Sequence, residues 1–212
     1  MKELVSGFVL SRRGALLASL LAVLSACAGS GAYIISPGLK AAPNGRIVIL
    51  PFENSSNDVS APGLIREASV KRFSSRGYAP FDLGETDERL RALGVTDGGQ
   101  LASVKPADIG AVFGVDLLCY GALEDFTFQN LGFVIRRHVK LRLKIVSAST
   151  GEIMFEAEGT GKDLKIYLDR EEAKRAFIVN SAVKLAQNML KHPLWPESET
   201  ALNRIFDRLP AR

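Results

Sequence analysis

Arg46-Ile47-Val48-Ile49-Leu50-Pro51-Phe52 decides the fold. Four consecutive apolar residues, three of them β-branched, predict a strand, and Pro51 ends it because proline has no N–H for the ladder. The run is continuous rather than alternating, so both faces of this strand must be covered. That pattern belongs to a sheet flanked by helices.

Downstream, Glu53-Asn54-Ser55-Ser56-Asn57 reads as a polar loop. A helix is predicted from about Pro62 to Arg76, with Leu64, Ile65, Ala68 and Phe73 on or near one face. Pro62 suits its first turn and Gly77 its end. Tyr78 to Asp82 reads as a second, short strand. Leu90 and Leu93 lie on a helix ending near Gly94. Another helix opens at Pro106, carries Ile109, Val112 and Phe113, and stops at Gly114.

Val115 to Phe128 predicts a long strand, with Asp125 on its inward parity. Phe133 to Ser147 alternates cleanly: Val139, Leu141, Leu143 and Ile145 inward, His138, Lys140, Arg142 and Lys144 outward. After the Ser149-Thr150-Gly151 turn, Ile153, Phe155 and Ala157 point inward and Glu152, Glu156 and Glu158 outward. A turn centred on Ser149 sets Arg142 opposite Glu156 and Lys140 opposite Glu158. The cationic stripe is then an ion-pair ladder rather than a docking face for anionic polymers. A helix from Arg170 to His192 carries Ala173, Phe177, Ala182, Leu185, Ala186 and Met189, a stripe read as core. Ser198 is read as the cap of a last helix with Leu202, Ile205, Phe206 and Leu209 on one face, facing either the domain or a partner. The fold class is α/β (α+β): one domain over 46–192, a mixed sheet of about five strands flanked by helices in the order β-α-β-α-α-β-β-β-α-α, followed by an amphipathic helical segment at 193–212.

The amino-terminal end carries different information. Gly14 to Ala26 is uncharged, rich in Leu and Ala, preceded by Arg12 and Arg13 and closed by Leu24-Ser25-Ala26-Cys27. The layout is that of a secretory signal, here 1–26, and the tetrapeptide looks like a bacterial lipobox that leaves Cys27 to be lipidated. Ala28 suits transfer to the outer membrane. Residues 27–45, rich in Ala, Gly, Pro and Ser, read as a flexible tether. Removing Lys2, Arg12, Arg13 and Glu3 leaves 24 Lys and Arg against 22 Asp and Glu, so the basic balance argues for no nucleic-acid partner. Lipidation takes one of the two cysteines, and Cys119 is read as a small buried thiol. His138 and His192, with no cysteine cluster, suggest no metal site, and no cofactor is expected.

Val48-Ile49-Leu50-Pro51-Phe52-Glu53-Asn54-Ser55, Arg76-Gly77-Tyr78, Ile109-Gly110-Ala111-Val112-Phe113-Gly114-Val115-Asp116, and Lys144-Ile145-Val146-Ser147 with Thr150-Gly151-Glu152-Ile153 follow one another behind the lipobox. In that order the chain, over roughly 44–190, resembles a poorly characterised lipoprotein family known from a neisserial vaccine-antigen candidate. More distantly it is similar to the curli-secretion lipoprotein, to the amino-terminal domain of the Tol-system β-propeller protein, and to lipoprotein activators of penicillin-binding proteins. The resemblance implies an outer-membrane lipoprotein facing the periplasm. It would act through protein contacts in envelope assembly or secretion, with a curli-secretion-like lipoprotein as one partner; the alternative is an activator of a cell-wall synthase.

No nucleophile elbow or phosphate loop is present: the Gly98-Gly99 pair does not lie between a strand and a helix with a following Lys-Ser or Lys-Thr. Asp87-Glu88 and Glu171-Glu172 read as solvated helix positions, and no enzymatic activity is expected. Open sheets tend to bind outside the carboxyl ends of their strands, so Glu53, Asn54, Ser55 and Asn57, in the loop that follows the first strand, are the candidate partner contacts.

Overall fold

A computed structural model describes residues 33–41, 45–131, 133–189 and 194–212. The signal segment and Cys27 lie outside the described residues, as does His192. The described residues form one seven-stranded mixed sheet in the order β1-β7-β6-β5-β2-β4, with β3 paired to β5 beyond β2. The strands are β1 (Tyr33–Ile35), β2 (Arg46–Ile49), β3 (Glu53–Asn54), β4 (Ala79–Pro80), β5 (Leu117–Asn130), β6 (Val134–Ser147) and β7 (Ile153–Ile166). The helices are α1 (Gly38–Ala41), α2 (Ala61–Ser75), α3 (Leu83–Ala92), α4 (Pro106–Phe113), α5 (Arg170–Met189) and α6 (Trp195–Phe206), with a 3-10 segment at Gly98–Ser103. The class is the one expected. The two strands beyond five are β1 and β3. β1 lies in the stretch read as tether and pairs antiparallel with β7, and Leu39 of α1 is fully buried, so Tyr33–Ala41 belong to the folded part together with the chain from Arg46.

β2 shows why a continuous apolar run was needed. Ile47 and Ile49 enter one core with α2 and α6, while Val48 and Leu50 enter a second core with α3, the 3-10 segment and α4. β4 pairs with β2 only at Arg46 and Ile47. Beyond it the Ile49 carbonyl accepts from Nε (3.0 Å) and Nη2 (2.8 Å) of Arg66, whose Nη1 meets Asp87 at 2.7 Å. Arg66 is 6% exposed, and this use of a charged residue on the inner side of α2 is not visible in its sequence pattern. A buried guanidinium persists because its donors are matched by a carbonyl and a carboxylate.

Two irregularities move side chains from their predicted faces. Between Leu123↔Leu141 and Asp125↔Lys140 one extra residue, Glu124, bulges from β5. A bulge reverses the parity beyond it, so Asp125 faces outward, not inward. A second bulge, at Met154, separates Ile145↔Phe155 from Val146↔Ile153. Met154 turns inward and Ile153 is 38% exposed. The register therefore pairs Arg142 with Glu158 and Lys144 with Glu156, two residues from the predicted pairing.

The last two helices divide the cover of the sheet between them in a way the sequence left open for the final helix and that differs from the reading of the one before it. α6 lies on β7 and β6 with Ala201, Leu202, Ile205, Phe206 and Leu209 at most 3% exposed, so its apolar face docks on its own domain. Gly159 and Gly161 allow this approach: a Cβ at either would collide with the backbone of Ala201 or Glu197. The helix begins at Trp195 with Pro196 in its first turn, and Ser198 donates to the Leu194 carbonyl (2.9 Å) from inside it. Ser198 is therefore not the cap. With that face taken, the described part of the α5 stripe is not uniformly core: Ala173 is buried, but Phe177 is 45% exposed and Ala182 is exposed as well, while the side chains of Leu185, Ala186 and Met189 lie outside the described ones. No described helix is long and apolar enough to cross a membrane.

Candidate functional site

Pro51 ends β2, and the chain re-pairs at once as β3, with Glu53 opposite Ala122 and Asn54 opposite Leu123. The loop read from sequence thus begins as strand, because β5 runs on past β2 and offers its free edge. The following turn is held by its own side chains. Asn54 Oδ1 accepts from the amide (2.9 Å) and hydroxyl (2.7 Å) of Ser56, and Asn54 Nδ2 donates to the Asp58 carbonyl (2.9 Å). Asp58 Oδ1 then accepts from the amides of Ser60 and Ala61, both at 2.9 Å, at the start of α2.

Of the four candidate contact residues, Glu53 and Ser55 line a polar cleft of about 440 Å³. Asn54 is turned into the loop as its brace, and Asn57 is exposed on the loop beyond the cleft. The opposite walls come from residues the sequence did not connect with this loop: Gly98, Gly99 and Ala102 of the 3-10 segment, Tyr120 and Glu124 of β5, Arg142 and Lys144 of β6, and Glu156 of β7. Asp97 anchors the 3-10 wall by accepting from the Gly99 amide (2.8 Å), while Gln100 Oε1 accepts from the Thr96 amide (2.6 Å).

The floor of the cleft is the ion-pair ladder, and its centre is the bulged residue Glu124. Lys140 Nζ and Arg142 Nη2 both meet Glu124 at 2.7 Å. Arg142 also reaches Glu158 (2.5 Å) and Glu156 (3.9 Å), and Lys140 reaches Glu158 (3.3 Å). The predicted neutralisation holds for Lys140 and Arg142, through a shifted register and a third strand, and not for Lys144. The pairing with Glu124 raises the Lys140 pKa above the ordinary lysine value. Partial burial pushes the Glu158 carboxyl up, but hydrogen bonds from Lys140 and Arg142 outweigh it and leave it below the usual range. Lys144 lies over the Tyr120 ring, 5.6 Å from its centroid. Among the described residues, Glu53 and Lys144 have no ion-pair partner, so the cleft presents one carboxylate and one ammonium on opposite walls.

Further along the same face, Asp125 Oδ2 lies 2.7 Å from His138 Nδ1, and Asp125 Oδ1 accepts from the Thr127 hydroxyl. Burial pushes the Asp125 carboxyl up, and the bonds from Thr127 and His138 bring it below the ordinary carboxylate range. Cys119 is fully buried, and burial pushes its thiol far up, so it offers no reactive thiolate. The arrangement sets fixed charges of both signs around a backbone-edged cleft.

A family model described as "Putative lipoprotein GNA1162-like" matches residues 37–208. A curated lipoprotein of Neisseria meningitidis serogroup B is 27% identical over 99 residues, 46% of this chain and 46% of the relative, so the match spans about half of that relative's length. The solved structure of lipoprotein GNA1162 from Neisseria meningitidis superposes with a TM-score of 0.53 at 17% identity, covering 68% of this chain and 98% of that one, which is a likeness of fold. The PelC dodecamer from Paraburkholderia phytofirmans gives 0.45 at 12% identity, over 64% of this chain and 83% of that chain, from which nothing follows here.

Proposed function

The chain belongs to the GNA1162-like lipoprotein family, and from that premise we propose that it is an envelope lipoprotein whose described domain is a protein-binding module. The reading is an outer-membrane protein anchored through Cys27, facing the periplasm, and serving envelope assembly or secretion beside a curli-secretion-like lipoprotein. The observation that carries the binding role is the cleft. Its Glu53 and Lys144 stand on opposite walls without ion-pair partners among the described residues, while every other charge on its floor is matched. Charged groups so placed select a partner more by complementarity than by affinity. Activation of a cell-wall synthase would use the same surface and differs only in the partner.

A photoreactive amino acid at Ser55 of the full chain, in its own envelope, tests this. The expected outcome is one discrete protein adduct that disappears when Glu53 and Lys144 are both changed to Gln, with no adduct from the same group at Glu88 of α3. A smear shared by both positions, or none, sinks the reading, and a penicillin-binding protein in the adduct selects the activator alternative. Mass spectrometry of the mature amino terminus separately reports acylation at Cys27.

A further inference from the structure

Seven of the fourteen large apolar residues exposed among the described residues gather at one end of the molecule. Leu131 and Phe133 form the turn from β5 to β6, and Leu164, Ile166 and Leu168 lie at and beyond the end of β7. The Tyr167 amide donates to the Phe133 carbonyl at 2.8 Å and ties the two strand ends together. Phe177 and Ile178 of α5 face Phe133, Tyr167 and Leu168 across an open cleft of about 750 Å³, and Leu164 and Ile166 extend the apolar surface around the strand end. Leu168 is 96% exposed, against at most 3% for the apolar face of α6. Contiguous apolar surface of this kind marks a contact with something else.

The path of the chain says what covers it. β1 runs antiparallel to β7, with Tyr33 opposite Ala157 and Ile35 opposite Phe155. The chain therefore enters β1 from the side on which β7 continues toward Ile166. Whatever path they take, the six residues from Cys27 to Tyr33 span at most about 20 Å. From Ala157 to Ile166 the strand advances about 30 Å. A bilayer holding a lipid on Cys27 can thus meet the apolar end if that end dips about 5–10 Å into the headgroup boundary, the usual depth of an interfacial apolar face. Arg136, Lys162 and Lys165, all exposed, stand just behind it. The nearest acid, Asp163, is engaged by Arg137 (3.4 Å) and Lys165 (4.0 Å). At the start of α5, Asp169 accepts from the Glu171 amide (2.6 Å), Glu171 pairs with Lys174 (2.8 Å), and Glu172 is exposed.

We propose that the end formed by the β5–β6 turn, the end of β7 and α5 is a second membrane contact, seated in the surface of the phospholipid bilayer that carries the protein's own lipid. The inference rests on the lipid anchor of the preceding section for its orientation only. Acyl chains on one terminal residue hold a protein at the bilayer without orienting it, and a second contact fixes which face looks away from the membrane.

The test is site-directed spin labelling of the full-length protein, reconstituted in vesicles of phosphatidylethanolamine and phosphatidylglycerol, with mass spectrometry of Cys27 on the same sample. Labels at Leu168→Cys and Phe133→Cys are expected to gain oxygen accessibility and lose accessibility to a water-soluble nickel chelate. A label at Thr150→Cys, in the opposite turn, is expected to stay aqueous. Leu164→Ser with Ile166→Ser is expected to reverse the shift at Leu168→Cys. An aqueous label at Leu168→Cys on acylated protein overturns the proposal and leaves the anchor standing. Immersion on unacylated protein upholds it and removes the anchor. Dipolar broadening between copies at Leu168→Cys, without immersion, would place a second copy there and overturn it as well.

Discussion

The two turns of the β5–β6–β7 ribbon sit at opposite ends of the same three strands and are built differently. At Ser147–Gly151 the chain turns around a carboxylate: Asp116 accepts from the Ser149 amide (2.7 Å) and from the Ser147 hydroxyl (3.0 Å). The strands leaving it are covered by helices on both faces. At Leu131–Phe133 the described turn is held by backbone bonds, Leu131 N–H to the Val134 carbonyl at 2.9 Å and Phe133 N–H to the Leu131 carbonyl at 3.1 Å, and its apolar side chains stay exposed. Near the first turn the strands are buried on both parities, at Leu117 to Cys119 and Ile145 to Ser147, and near the second they are buried on one parity at most. The helical layers reach only the first of these ends, and that decides whether an apolar residue is core or contact surface.

The largest expected effect lies at the covered end. Gly161→Ala forces a methyl into the Glu197 backbone and lifts α6 from β7, with a loss of about 3 kcal/mol in stability. The urea midpoint reports it, and a wild-type midpoint would show that α6 is not seated as described. Asp116 gives a smaller and pH-dependent effect. Burial raises its pKa, but the bonds from Ser149 and Ser147 outweigh burial and depress it. A depressed carboxylate stabilises the fold fully above its unfolded value, near about 4, and that contribution is lost as pH falls through the lower folded value. Asp116→Asn should therefore cost about 1 kcal/mol at neutral pH, and the gap from wild type should close in acid. A gap constant across that range breaks the account of the turn. The smallest effect is expected at the open end: Leu164→Ser should stay within about 0.5 kcal/mol of wild type in the same urea series. A loss above 2 kcal/mol would mean that end is core after all.

Reading by pattern worked where local chemistry decides. Pro51, Gly114 and the alternation of Val139 to Ile145 each placed an element, and Gly114 indeed takes the left-handed conformation (φ 64°) that ends α4. It failed where one residue shifts a whole register. Nothing in Leu123-Glu124-Asp125 announces a bulge, yet the bulge turns Asp125 to His138 and centres Glu124 between Lys140 and Arg142. Half of the candidate site was legible. Glu53 and Ser55 line the cleft because open strand ends lie at the sheet's rim, but Gly98, Tyr120 and Lys144 come from distant segments that only the fold joins. The spacing of Gly159 and Gly161 was a usable signal, since two small residues on one face of a strand invite close backbone approach.

The order of helices and strands, and the buried character of β2, follow from the sequence itself, because hydrophobic period and turn residues act over a few neighbours. Which helix covers the sheet, Arg66 beneath Ile49, and the exposure of the Leu131–Leu168 end belong to the tertiary structure. They depend on which layer reaches a given strand first, and α6, admitted by two glycines, takes the face that α5 would otherwise have filled.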